Sequence, residues 1–268
     1  MARRPGFPAR MDWSPRNADA SKKIASSQDQ VRAKDRKDHK SGLTVPAQGH
    51  GLDSQAVRAR MVGQLAQHGI ANRDLLTAMG AIERHRFVDS ALVNQAYEDT
   101  SLPIGLSQTI SKPSVVARMI ELLLQGQDER QGIKMGRVLE VGTGCGYQAA
   151  VLGRLAREVY SIERLRGLHD KARDNLRPFR LPNVHLLLGD GMQGYAKGAP
   201  YAGIIAAAGG HAVPQAWLDQ LAVGGRIVAP METSAGQQAL VVLDKLERGV
   251  RRTVLEAVHF VPLKSGIA

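Results

Sequence analysis

Three alternating glycines follow an apolar run in the middle of the chain, and their spacing could serve ligand binding. The segment 138–147 reads Val-Leu-Glu-Val-Gly-Thr-Gly-Cys-Gly-Tyr. A glycine-rich turn between a strand and a helix lets the backbone pass close to a ligand and directs helix N–H groups toward it. A dinucleotide-binding turn needs glycine at the sixth position of Gly-x-Gly-x-x-Gly. Tyr147 occupies that position here, so the pattern favours a different ligand.

Acidic residues near the turn indicate which ligand that is. Glu140 would repel a pyrophosphate, whereas S-adenosylmethionine carries an ammonium and a sulfonium and no phosphate. Glu163 follows Gly144 by about 20 residues, where a carboxylate can accept hydrogen bonds from both ribose hydroxyls. Asp190 follows the next predicted strand and could accept from the adenine amino group. The predicted cofactor-binding residues are Glu140, Gly142, Thr143, Gly144, Gly146, Tyr147, Glu163, Asp190 and Gly191.

The elements that must hold this turn alternate between strands and helices, which is typical of a parallel sheet. The predicted strands are Arg137–Val141, Glu158–Ile162, Val184–Leu188, Gly203–Ala207 and Arg226–Ala229, with an antiparallel edge hairpin at Ala239–Leu243 and Val254–Val258. The predicted intervening helices are Gln148–Ala156, Leu165–Arg177 and Pro214–Leu221. The expected fold is therefore α/β: a doubly wound, mostly parallel, Rossmann-like methyltransferase sheet.

Amphipathic helices are predicted before this sheet. One ends near Gly69, a second runs from Asn72 to about His85, and a third begins at Pro113, where a first-turn proline is tolerated. Between them, residues 97–111 lack a helical period and predict a long loop with short extended pieces. We expect one domain over residues 52–268, with helices and a substrate loop at 52–135 and the cofactor-binding sheet and C-terminal hairpin at 136–268.

Charge and composition set further limits. The chain has 36 Lys+Arg against 25 Asp+Glu, and residues 1–50 hold eleven of the former and five of the latter. We expect residues 1–51 to form a disordered basic extension; a nucleic-acid-binding arm is the alternative.

The single cysteine, Cys145, excludes an intramolecular disulfide and a multi-cysteine metal site. No apolar run approaches the roughly 18 residues of a membrane span, so the expected location is cytoplasmic, with no metal and no membrane partner.

Several motifs together resemble one enzyme family. They are Leu-Pro-Ile-Gly-Leu-Ser-Gln-Thr-Ile-Ser at 102–111, the glycine turn, Tyr-Ser-Ile-Glu-Arg at 160–164, Gly-Asp-Gly at 189–191 and Val-His-Phe-Val-Pro-Leu at 258–263. In this order, from about Ala56 to Ala268, they resemble the protein-L-isoaspartate O-methyltransferases. The resemblance implies methyl transfer from S-adenosylmethionine to the free α-carboxylate of L-isoaspartyl residues in damaged proteins, whose ester then collapses through a succinimide toward aspartyl.

The resemblance also implies roles for individual residues. Ser111 would be the active-site serine, and residues 102–110 with 259–263 would shape the peptide cleft. The substrate-binding residues implied are Ile104, Gln108, Thr109, Ile110, Val261 and Pro262. Cys145 is not expected to act as a nucleophile, because no histidine lies near it in the sequence.

The sequence departs from the family pattern at two places. Gly105-Leu106-Ser107 replaces the usual Gly-x-Gly, and the fourth strand, from Ala202, lacks its usual aspartate and threonine. The second change is expected to remove a carboxylate and a hydroxyl from the floor of the site. Two alternatives therefore stay open: another class I methyltransferase acting on a small molecule or RNA, and a non-enzymatic basic nucleic-acid-binding protein on the same scaffold.

Overall fold

The computed structural model describes residues 55–126, 134–233 and 236–268. These residues contain two β-sheets. A small antiparallel hairpin consists of β1 (Leu102–Gly105) and β2 (Gln108–Ile110). The large sheet contains β3 (Met135–Val141), β4 (Ala156–Glu163), β5 (Val184–Leu188), β6 (Tyr201–Ala206), β7 (Leu221–Glu232), β8 (Gln238–Lys245) and β9 (Val250–Val258). Its order is β5-β4-β3-β6-β7-β8-β9, parallel as far as β7 and antiparallel beyond it.

Helices cover both faces of the large sheet. They are α1 (Gln55–Gln67), α2 (Arg73–Ala81), α3 (Pro113–Leu124), α4 (Tyr147–Leu155), α5 (Arg166–Leu176) and α6 (Gln215–Gln220). One core contains side chains of α1 to α5, and a second core on the other face contains Trp217 of α6. The predicted doubly wound, mostly parallel α/β fold is confirmed, including the edge hairpin formed by β8 and β9.

The order of the strands determines where a ligand can bind. The chain winds outward from β3 to β4 and β5, then returns to β6 on the other side of β3. Val141 at the end of β3 therefore pairs with both Ile162 and Ala206. In open parallel sheets, the crevice at such a reversal, outside the carboxyl ends of the strands, is the usual ligand site. The glycine turn leaves β3 at that crevice.

The N-terminal segment differs from its prediction in one element. Helix α2 ends at Ala81, four residues before the predicted end, because Ile82 takes an extended conformation (φ −94°, ψ 120°). The chain then forms a short 3-10 helix, Arg84–Phe87, in which Arg84 turns into the interior. The predicted loop at 97–111 contains the β1–β2 hairpin, in line with the expected extended pieces.

All described residues belong to one compact unit. The predicted extension, residues 1–51, lies outside the described residues. Within the described ranges, no helix combines the length and apolar character that crossing a bilayer requires.

Candidate active site

A cavity of about 500 Å³ opens at the carboxyl ends of β3 and β4, a size typical of ligand sites. Four parts of the chain form its walls: the β1–β2 hairpin with Ser111, the glycine turn, residues 162–165 at the end of β4, and residues 261–264. These parts are far apart in sequence, and the reversal of strand order brings them together.

The glycine turn forms the wall nearest β3. Gly144 has a φ of 57° and Gly146 a φ of 94°, a left-handed conformation that L side chains rarely adopt. Gly144 lines the cavity, whereas Gly146 does not. A Cβ on Gly146 would lie 3.1 Å from Leu176 Cδ1 of α5, so Gly146 serves the packing of two helices. Thr143 and Tyr147 complete this wall.

Glu163, the last residue of β4, lines the cavity, and its carboxylate already holds the turn in place. The side chain is 4% exposed; Oε2 accepts from Gly144 N at 2.9 Å and Oε1 from Leu165 N at 2.9 Å. A carboxylate can accept about four hydrogen bonds, so two positions are left for a ligand. These acceptor oxygens suit ribose hydroxyls, which donate, and disfavour phosphate, so the wall fits the predicted cofactor.

Glu140 lies behind the turn and does not line the cavity. It is fully buried and accepts a hydrogen bond from the hydroxyl of Ser161, which lies 2.6 Å from the Thr143 hydroxyl. Burial raises the pKa of Glu140 to about 8, so this carboxyl carries a proton at pH 7. The structure therefore does not place a charged Glu140 against the ligand, and it acts on the turn through Ser161 and Thr143.

Asp190 also lies outside the cavity lining, although its neighbour Gly191 is part of it. Asp190 Oδ1 accepts from Met192 N at 2.9 Å, and Oδ2 accepts from Gly266 N at 2.8 Å. Both oxygens thus hold backbone, and the second ties the segment after Lys264 to the sheet. The structure gives Asp190 an anchoring position in place of the predicted contact with adenine.

The residues implied for substrate binding all converge on the opposite wall. Those that line the cavity are Ile104, Gln108, Thr109, Ile110, Ser111, Val261 and Pro262. Ser111 directly follows β2 and is half-buried. The hairpin turn of Leu106 and Ser107 has φ values of 51° and 57°, so two residues with side chains occupy a conformation that glycine takes without strain.

The second half of this wall is held by a side-chain amide. Gln238 Oε1 accepts from Phe260 N at 2.7 Å, and Gln238 Nε2 donates to Phe260 O at 3.2 Å. Gly209 N also donates to Val261 O at 2.8 Å, and Leu263 N donates to Gly209 O at 2.7 Å. These four bonds fix the position of Val261 and Pro262 against the end of β6.

The departures from the family pattern in the fourth predicted strand, which is β6 in the structure, affect the site less than expected. Ala202 lies near the amino-terminal end of β6, where its Cβ is 3.1 Å from the position of a Cβ on Gly136, and it does not line the cavity. The expectation that a carboxylate is missing from the floor of the site is therefore wrong. Only Ala207 and Ala208, which follow β6, border the cavity.

Cys145 borders the cavity within the glycine turn. Burial raises the pKa of its thiol to about 11, so the thiol stays protonated at neutral pH and is a poor nucleophile. Over the described ranges, no group of three or more His, Cys, Asp or Glu side chains is placed to hold a metal ion.

Sequence reasoning missed several lining residues. They include Gln148, Arg164, Leu168, Ala207, Ala208 and Lys264. Ala207 is the last residue of a predicted strand, so the rule that selected Glu163 could have found it. Lys264 is adjacent to the Phe-Val-Pro-Leu motif, but no sequence pattern directs it toward the cavity.

A mostly parallel sheet with this strand reversal, a glycine turn after β3 and a carboxylate at the end of β4 defines a Rossmann-like methyltransferase. The family model described as protein-L-isoaspartate(D-aspartate) O-methyltransferase matches residues 56–268. The chain belongs to this family, as its motifs predicted.

Relatives and solved structures agree with this assignment. Proteins named protein-L-isoaspartate O-methyltransferase from Leptothrix cholodnii and Methylibium petroleiphilum are each 60% identical, over 81% and 83% of this chain and 77% and 82% of their own length. A solved structure of that name has a TM-score of 0.70 at 28% identity, over 78% of this chain and 67% of its own. A Plasmodium falciparum structure described as a complex with S-adenosyl-L-homocysteine has a TM-score of 0.67 at 22% identity, over 77% and 98%, and supports the fold.

Proposed function

We propose that this chain transfers a methyl group from S-adenosylmethionine to the free α-carboxylate of L-isoaspartyl residues in damaged proteins and peptides. The observation that carries the proposal is the convergence of Ser111 and its hairpin with the glycine turn and Glu163 around one cavity. Family membership over residues 56–268 supports the same reaction.

S-adenosylmethionine is the methyl donor, and when bound it supplies an electrophilic methyl group on a sulfonium. Glu163 has two acceptor positions free for the ribose hydroxyls, because backbone N–H groups use the other two. Gly142 and Gly144 give the wall a backbone surface that a ligand can approach closely. Cys145 lines the same cavity as an uncharged thiol, so it does not compete with the substrate for the methyl group.

The acceptor needs positioning more than activation. An α-carboxylate has a pKa of about 3.3–3.7 and is already a nucleophile at neutral pH, so no general base is required. The hydroxyl of Ser111 can donate a hydrogen bond to one carboxylate oxygen and leave the other free to attack. Ile104, Ile110 and Val261 give the cleft an apolar lining, and loss of hydration favours a reaction in which opposite charges cancel.

Methyl transfer to matched acceptors tests this proposal. We expect labelled methyl on an isoaspartyl peptide, but not on its aspartyl twin or on total RNA. Ser111→Ala should lower turnover by about tenfold or more while cofactor affinity stays unchanged, because a mispositioned carboxylate loses effective molarity. Ser90→Ala, at an exposed serine outside the cavity, is the matched control. Labelling of RNA, or equal labelling of both peptides, would contradict the proposal.

The same proposal includes the organisation of the chain. We infer that residues 52–268 carry the whole activity and that residues 1–51 are a disordered basic extension. The start of the family match at residue 56 and the scarcity of large apolar side chains before it support this division. We place the reaction in the cytoplasm; the single free thiol of Cys145 needs no oxidising compartment.

A further inference from the structure

Arg84 is a fully buried arginine that contacts both walls of the active site. Its Nε donates to Ala96 O at 2.8 Å, and its Nη2 donates to Ser111 O at 2.7 Å. Its Cζ lies 4.7 Å from the centre of the Tyr147 ring. Ser111 and Tyr147 both line the cavity, whereas Arg84 does not. One guanidinium therefore stands directly behind the serine and the aromatic ring.

Within the part of the chain that the structure describes, the guanidinium of Arg84 has no carboxylate at ion-pair distance. No ion pair among the described residues includes it; Asp99, whose charge favours the charged guanidinium, accepts hydrogen bonds from the backbone and hydroxyl of Ser114. Burial lowers the pKa of Arg84, yet an arginine inside a protein remains protonated. Buried charges are normally paired, so a positive charge held without a carboxylate is unusual.

The position of this charge bears on the acceptor. Within a dry cleft, a charge acts over a longer range than in water. A carboxylate held by Ser111 would lie at the residue whose carbonyl oxygen the guanidinium binds at 2.7 Å, in a cavity that Tyr147 also lines. The methyl ester that the reaction forms is neutral, so a positive charge here favours the anionic acceptor over the product.

We propose that Arg84 is a positioning residue for the acceptor: it fixes the backbone of Ser111 and supplies the buried positive charge that selects an anionic acceptor. The inference rests on the proposed function. It assigns the recognition of charge to a residue that does not touch the substrate. The two roles are separable, because a protonated lysine keeps the charge but cannot reproduce the forked contact with two carbonyl oxygens; burial lowers the pKa of a lysine, so its charge depends on pH.

The test compares an isoaspartyl peptide with the same peptide carrying an α-carboxamide, both bound in the presence of S-adenosylhomocysteine. The wild type should prefer the charged peptide by at least about tenfold. Arg84→Met should reduce this preference to within about threefold and raise the peptide KM. Arg84→Lys should lower kcat but keep the preference at pH 6, where the lysine is protonated more fully than at pH 8. Arg86→Met, in the same 3-10 helix at an exposed arginine paired with Glu83, should match the wild type.

S-adenosylhomocysteine affinity within about twofold of wild type would show that a variant has kept its fold. An unchanged charge preference in Arg84→Met would overturn the proposal. If that variant does not fold, Arg84→Lys decides, because loss of the preference at pH 6 as well as at pH 8 contradicts the assignment. A wild type that binds both peptides equally overturns it without any variant. Failure to methylate the isoaspartyl peptide at all would instead refute the proposed function.

Discussion

Replacement of Glu140 by glutamine should stabilise the fold at neutral pH, although it removes a hydrogen-bonded carboxyl. Burial raises the pKa of Glu140 to about 8, against 4.5 for an ordinary glutamate. Between these values the unfolded chain releases a proton that the folded chain retains. Stability is therefore lost as pH rises from about 4.5 to about 8, at about 1.4 kcal/mol for each pH unit. At pH 7 the penalty is about 3 kcal/mol, and a glutamine does not incur it.

Urea unfolding of both proteins at pH 5, 6, 7 and 8 measures this effect. The stability of Glu140→Gln relative to wild type should increase with each pH step and level off above about pH 8. The stability difference at any single pH also includes the altered hydrogen bond to Ser161. The change of this difference with pH is therefore the diagnostic quantity. Glu98→Gln, at an exposed carboxylate, is the matched control. A pH-independent difference for Glu140→Gln would mean that the buried carboxyl titrates normally, and the reasoning would fail.

Four further predictions concern the walls of the cavity and the ends of the chain. Ser107→Gly should raise stability by about 1 kcal/mol in urea unfolding, because glycine removes a strained positive φ; a loss of stability would contradict this. Glu163→Ala should weaken S-adenosylhomocysteine binding at least about tenfold by calorimetry, unlike Glu158→Ala on the same strand. Gln238→Leu should raise the peptide KM about tenfold without changing cofactor affinity, because the clamp on Phe260 is lost; the control is exposed Gln237→Leu. Removal of residues 1–51 should leave the melting temperature and turnover unchanged, and a fall of several degrees would show that the extension packs on the domain.

The parts of the fold that could be predicted depend on local patterns. Alternating apolar segments and turn residues identify each strand of the large sheet, because periodicity and turn chemistry are properties of neighbouring residues. The carboxyl-edge rule then places Glu163 correctly. It misplaces Glu140, which lies within β3 and not beyond its end. A side chain inside a strand points to one face of the sheet, and here it is buried.

The contacts that escaped prediction join distant parts of the chain. Asp190 binds Gly266, 76 residues away, and Arg84 binds Ser111, 27 residues away. The helical period of the apolar residues predicted that α2 would continue to about His85. It does not, because the burial of Arg84 depends on contacts with distant residues that local propensity does not include. Likewise, nothing in the order Gly-Leu-Ser requires Leu106 and Ser107 to take positive φ values; closure of the β1–β2 hairpin imposes them.

The chemical position of the transferred methyl group tests the central claim most directly. An isoaspartyl peptide treated with the enzyme and S-adenosylmethionine should gain one methyl group, located by fragment masses on the isoaspartyl residue. Because the product is an α-carboxyl ester, mild base should remove the methyl group and yield a succinimide, which then opens to aspartyl and isoaspartyl peptides. A methyl group that survives base, or that lies on a hydroxyl, amine or thiol, would contradict the assignment of the α-carboxylate as the acceptor.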